Sequence, residues 1–199
     1  MSDGQRFIRG QYDRQEEKDL RKFTEEFVMN FPKNYEASGS TRAGCKVDVL
    51  SRKADYSVVA TELKGRSEQY TGDTYTTLFI EDEKFKYLVK LWQDYGIETW
   101  YINMFENSDV YYHYHIPTVA SRWWEITTTG TTVTYNELGE TKKKQGIRWL
   151  LPKSWAYRIE DGRITGTPKV PFVKVNATKY KGEFWSGMDI KDVIKNFYE

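Results

Sequence analysis

Asp48 and the triplet Glu62-Leu63-Lys64 combine two carboxylates with an ammonium, the residue types needed to hold a hydrated divalent metal against a phosphodiester. Between them, Val49 to Thr61 reads as two short β-rich runs around a polar break, Arg52-Lys53-Ala54-Asp55, which is the layout of a hairpin. With the register centred on Asp55, Asp48 falls opposite Glu62, and Cβ atoms of such a pair lie about 5 Å apart. Alternation then places Lys64 on the same face. Two acids this close repel each other unless something positive sits between them. Mg²⁺ would resolve the conflict, because one or two carboxylates, several waters and substrate phosphate complete its shell. Its bound water becomes more acidic and charge on the phosphate is neutralised. Lys64 could then hold the attacking water or steady the charge on phosphorus.

Acid-x-Lys is a common spelling, and the chain repeats it at Glu16-Glu17-Lys18, Asp82-Glu83-Lys84, Glu140-Thr141-Lys142 and Asp189-Ile190-Lys191. Context separates these copies. The Lys18, Lys84 and Lys191 copies fall on predicted helices, where residues two apart point in different directions, and the Lys142 copy falls in a polar hairpin. Only Glu62 follows an apolar strand, Val58-Val59-Ala60, with a second acid on the preceding strand. An exposed hairpin with scattered charge would carry the same letters.

The elements that must position these residues follow from periodicity. Leu20, Phe23, Phe27 and Phe31 recur at helical spacing from about Asp13 to Asn30, and Pro32 ends that helix. A short strand covers Tyr35 to Ala37, and Gly39 and Gly44 bracket a loop whose Arg42 and backbone amides could meet phosphate. Residues 66–77 read as a loop overhanging the site, where Arg66, Tyr70 and Tyr75 could shape a DNA path. A helix begins near Glu81 with Phe85, Leu88, Val89 and Trp92 as its apolar stripe and Gly96 as its stop; Lys84, Lys86 and Lys90 lie off the stripe, where they could contact DNA phosphates or form a solvated face. Two strands follow, Glu98 to Phe105 and Val110 to Ile116, and the second puts Tyr111, His113 and His115 on one face. His-x-His could offer two zinc ligands, but no third ligand is evident and such a strand more often packs its rings.

With these residues the chain resembles the PD-(D/E)XK nuclease superfamily, and within it the archaeal-type Holliday junction resolvases, over about residues 10 to 116. That resemblance implies an α+β, restriction-endonuclease-like core with a mixed central sheet flanked by helices. It also implies an acid on the first helix, Asp on the second strand and Glu-x-Lys on the third. In the resolvases the helical acid stands three residues before the first core leucine, which selects Glu17 before Leu20, with Glu16, Glu25 and Glu26 as competitors. Val47 replaces the proline of the superfamily's name, a frequent variation. The implied activity is a Mg²⁺-dependent or Mn²⁺-dependent endodeoxyribonuclease, a hydrolase acting on branched DNA or as a restriction or phage-type enzyme. Asp48, Glu62 and the Leu63 carbonyl would bind metal, Lys64 would position water, and Glu17 would support the metal shell. A homodimer would suit paired nicks.

Beyond Pro117 the chain reads on its own, as a β-rich extension spanning 118–199 appended to a core spanning 1–117. Ile126 to Tyr135 and Lys142 to Leu151 are strand-like around a turn, Asn136-Glu137-Leu138-Gly139. Lys142, Lys143, Lys144 and Arg148 set among Trp149 and Trp155 suit phosphate contact and base stacking, although a hairpin with tryptophans turned inward reads the same. Ser186 to Asp189 has the form of a capping box before Ile190, Val193, Ile194 and Phe197, a structural helix. With 199 residues, 15 Tyr and 7 Trp the composition is that of a folded chain, and the single Cys45 reads as a packed thiol. No run is apolar enough to span a bilayer, so a cytoplasmic protein is expected. The net charge of +1 requires any DNA surface to be a local basic patch. Two other classes share these features: a DNA-binding module without turnover, and a protein that stacks exposed Trp and Tyr on sugars or peptides.

Overall fold

The protein is described here from a computed structural model, over residues 35–41, 45–66, 75–105, 108–135, 141–183 and 187–195. It is an α+β structure built on a mixed seven-stranded sheet. Along the sheet the order is β1 (Tyr35–Ser40), β2 (Val49–Lys53), β3 (Val58–Arg66), β5 (Glu98–Phe105), β6 (Ser108–His115), β9 (Tyr157–Glu160) and β10 (Arg163–Gly166). Only β3 and β5 are parallel; the other neighbours are antiparallel. Between β3 and β5 the chain passes through β4 (Thr77–Glu81) and the helix α1 (Asp82–Tyr95), the crossover that a parallel pair requires. Phe85, Leu88 and Leu91 of α1 are buried in a core with Val58 and Ala60 of β3 and Tyr101 and Phe105 of β5, so α1 covers that face of the sheet. A short helix, α2 (Ile116–Ala120), packs beside it.

Gly96 ends α1 as the sequence predicts. It adopts φ of 62°, and its N–H reaches the Trp92 carbonyl at 3.0 Å. A Cβ there would come within 2.7 Å of Thr178 Oγ1 and 2.9 Å of the Asn176 carbonyl, so both the backbone and the returning C-terminal segment require glycine.

A second, three-stranded antiparallel sheet joins β4, β8 (Thr141–Pro152) and β7 (Thr127–Tyr135). The boundary expected at Pro117 is therefore crossed twice. β4, from the N-terminal part, is an edge strand of the second sheet, while β9 and β10, from the C-terminal part, complete the central one. Strands from both sides of Pro117 thus share each sheet among the described residues. The capping box is also displaced by one turn: Asp189 accepts from Lys191 N–H at 2.9 Å, and Asp192 accepts from Asp189 N–H at 3.2 Å, at the start of α3 (Ile190–Lys195). Cys45 is partly buried against the core, 3.9 Å from Asp189 Oδ1. No helix among the described residues is long and apolar enough to cross a membrane.

Candidate active site

The β2–β3 hairpin has the register that the turn residues predict. Val49 pairs with Thr61, Leu50 with Ala60, Ser51 with Val59 and Arg52 with Val58. One further step sets Asp48 opposite Glu62, and the ladder continues there through Asp48 N–H to the Thr61 carbonyl at 3.0 Å. Alternation along β3 places Glu62 and Lys64 on the face of Val58 and Ala60, which is the face α1 covers.

Each side chain is held by its surroundings. Asp48 is half-buried, and its Oδ2 accepts the Leu63 N–H at 2.7 Å. The N–H and C=O of a residue in an extended strand point to the same edge, so the Leu63 carbonyl also faces the Asp48 side. Burial raises the Asp48 carboxyl above its ordinary range; the Leu63 N–H and then the charges of Lys84 and Lys64 oppose that rise without cancelling it. Glu62 is 2% exposed and forms an ion pair with Lys84 from the first turn of α1. Lys64 turns instead toward Glu81, with Nζ 3.6 Å from Oε1. Two lysines are thus divided between two acids, and Asp48 has only a backbone donor in direct contact among the hydrogen bonds described.

Such a cluster fits a divalent cation. Asp48 is a carboxylate whose burial exceeds its compensation, which is the condition a bound cation relieves. Asp48 and Glu62 stand at opposed positions of the hairpin and the Leu63 carbonyl lies on the β2 edge of β3, although among the described residues no three His, Cys, Asp or Glu side chains converge as a metal set. Two carboxylates and a carbonyl suffice for Mg²⁺, whose remaining positions water and phosphate oxygens fill. Glu17, Arg42 and Tyr70 lie outside the described residues.

Arg66 departs from its predicted role. It is the last residue of β3 rather than part of an overhanging loop, and it is only 7% exposed. Its Nε and one terminal nitrogen donate to Asn103 Oδ1 at 2.8 and 2.6 Å, and that terminal nitrogen also donates to the Phe79 carbonyl at 2.7 Å. The guanidinium ties β4 to the central sheet, and burial removes it from reach of DNA. Arg148 lies on β8, next to β4. It pairs across strands with Glu81, and its guanidinium sits 4.1 Å from the Phe79 ring centroid, while Arg66 sits 4.0 Å from the same ring. Arg148 is half-buried at the margin of the site. Lys142, Lys143 and Lys144 fall on β8, with their side chains outside the described part. Lys86 and Lys90 form exposed pairs with Asp82 and Asp94 at 2.7 and 2.5 Å. Trp149 turns inward, donating Nε1 to Asp82 Oδ1 at 2.9 Å, and Trp155 is buried.

The histidines are packing residues on the other side of the sheet. Burial pushes both His113 and His115 down to about 3, and for His115 the charge of Lys53 adds to that. His115 Nδ1 lies 2.8 Å from Thr118 Oγ1, and its ring stacks on Phe172 with centroids 4.1 Å apart. The sequence reading missed Glu81 as the partner of Lys64 and Phe79 as the floor beside it. Alternation in Thr77-Leu78-Phe79-Ile80-Glu81, where Leu78 and Ile80 are buried, was the signal of a strand preceding the helix.

No protein family and no curated protein matches this chain. Among solved structures it is similar to Hjc, a Holliday junction resolvase from the hyperthermophilic archaeon Archaeoglobus fulgidus, at 13% identity and a TM-score of 0.38, over 66% of this chain and 82% of that one. A likeness of that size carries no statement about activity.

Proposed function

We propose that the protein is a metal-dependent endodeoxyribonuclease. The observation that supports the reading is the hairpin register, in which Asp48 stands opposite Glu62 and Lys64 shares the face of Glu62. Mg²⁺ or Mn²⁺ bound there would acidify a water and neutralise phosphate charge. Asp48 and Glu62 orient the site by fixed hydrogen bonding and charge. Lys64, a third exposed, has the reach to donate from its ammonium to the attacking water or to a phosphate oxygen. Arg148, beside Glu81, would receive a neighbouring phosphate, with Lys142, Lys143 and Lys144 further along the same strand. A homodimer belongs to this proposal where two strands are cut symmetrically.

The direct test is cleavage of supercoiled, linear, branched and single-stranded DNA with and without Mg²⁺. Glu62→Ala and Lys64→Ala are each expected to lower the rate by about a hundredfold to a thousandfold, the loss typical of removing one transition-state electrostatic group. Wild-type levels of Mg²⁺-dependent cleavage in either variant would refute the assignment. A second reading, a DNA-binding module without turnover, draws on the Glu62–Lys84 pair, which already supplies Glu62 with a counter-charge. DNA binding that falls steeply with salt, combined with no Mn²⁺ uptake by calorimetry, would select it.

A further inference from the structure

The ammonium of Lys84 lies on the carboxylate that a divalent cation would share with Asp48, and from that placement we infer that Lys84 is a metal-displaced residue. It balances Glu62 by charge, and cation uptake at Asp48 and Glu62 releases it toward the phosphate of the DNA. This rests on the nuclease reading and adds to it an exchange of counter-charges at Glu62.

Three observations support the exchange. Glu62 is 2% exposed, so its carboxylate needs a positive partner wherever it is ionised, and both Lys84 and a metal can serve. They cannot share one face of the carboxylate without repelling each other. Lys84 has somewhere to go: its side chain is 42% exposed, so part of it already borders solvent. Its position on α1 also disfavours a resting cation. Lys84 is the third residue of a helix of 14, where the aligned peptide dipoles place positive charge and favour anions. Glu62 offsets that placement, and a phosphate would offset it equally well. Lys64 cannot exchange in the same way, since it faces Glu81 and leaves Glu62 to Lys84.

The experiment compares the full chain with Lys84→Met, which keeps length and removes charge, and Lys84→Arg, which keeps charge. By calorimetry Lys84→Met is expected to bind Mn²⁺ about tenfold more tightly than wild type, because the competitor is gone. Its melting temperature should also rise more with saturating Mn²⁺. Lys84→Arg should stay near wild type in both. In wild type, acylation of amines followed by peptide mass spectrometry should show Lys84 becoming severalfold more reactive when Mn²⁺ is added, with Lys86 and Lys90 on the same helix unchanged. Equal Mn²⁺ affinity in wild type and Lys84→Met, with unchanged Lys84 acylation in a chain that does bind Mn²⁺, overturns the inference and leaves the nuclease reading standing. Absence of Mn²⁺ uptake by wild type removes both. Should Lys84→Met fail to fold, the acylation of wild type decides alone.

Discussion

On the α1 face of the central sheet Glu62 is 2% exposed and lies against the ammonium of Lys84; on the opposite face His113 is also 2% exposed, and burial holds it neutral. The two side chains stand on strands of one sheet and are removed from water to the same extent. On the α1 face Glu62 takes Lys84 and Lys64 takes Glu81, while Asp48 keeps a backbone donor and Arg66 neutral acceptors. The opposite face pairs its buried Glu98 with Lys53 at 2.6 Å, but at its histidines it suppresses ionisation, with His115 stacked on Phe172 and His113 set edge-on to Tyr111. Compensated charge is available to a substrate or a cation, whereas a suppressed charge contributes only packing. Burial alone therefore does not mark a site, and neither does pairing by itself, since Glu98 takes Lys53 as Glu62 takes Lys84.

The largest effect should come from breaking Arg66, a buried cation that serves structure on the α1 face. Arg66 and Lys64 are two residues apart on β3, yet Arg66 is 7% exposed and bonded to Asn103 and the Phe79 carbonyl, while the Lys64 side chain is a third exposed. Arg66→Met removes several charge-assisted bonds at once and strands buried acceptors, so a loss of about 3 kcal/mol in urea unfolding is expected. Lys64→Met should leave stability nearly unchanged, since its ion pair is open to solvent. Equal stability losses in the two variants would dissolve the distinction between holding and acting cations on this strand.

The histidine face can be tested by pH. The folded chain keeps His113 and His115 at about 3, far below the ordinary imidazole value of about 6.5, so the unfolded chain binds protons first as pH falls. Their contribution is fully present above about pH 6.5 and is lost on acidification toward the folded value. Between these limits each histidine should withdraw about 1.4 kcal/mol per pH unit. Urea unfolding at about pH 7 and about pH 5.5 would show it, and His113→Leu should remove roughly half of the slope. A stability that stays flat over this range would mean the two rings are not held neutral by burial.

Much of the α1-face geometry is legible in the sequence. The hairpin could be counted because a turn fixes antiparallel register, and every residue of β2 and β3 then follows with its face. The helix end at Gly96 and the paired strands β5 and β6 were equally local. What escaped depends on contacts distant in sequence. Arg66 looked like a loop cation because nothing nearby in the chain shows Asn103 beside it, a neighbour created by the parallel β3–β5 pairing. Glu81 read only as the acidic start of a helix, since its strand pairs with β8 some 70 residues later (Glu81 with Arg148). The same long-range pairing erased the boundary at Pro117. Lys84 reads in the sequence as a phosphate-contacting or solvated lysine off the helix stripe, and only the seating of α1 on the sheet turns it toward Glu62.

The smallest effect is also the sharpest, because its sign is unusual. Burial raises the Asp48 carboxyl, so the ionised form is disfavoured in the folded chain, and the stability linked to its protonation is present below the ordinary aspartate value and lost as pH rises through the folded one. Near neutral pH Asp48 therefore costs stability. Asp48→Asn keeps an acceptor for the Leu63 N–H and carries no charge, so it should melt above wild type at about pH 7 in chelator, and that advantage should vanish below about pH 4. Saturating Mn²⁺ should reverse the order by raising wild type and leaving Asp48→Asn in place. Such a reversal is expected of a carboxylate kept for a cation rather than for the fold. If Asp48→Asn melts below wild type in chelator, the carboxylate is already compensated, and the α1 face would handle its charge no differently from an ordinary structural ion pair.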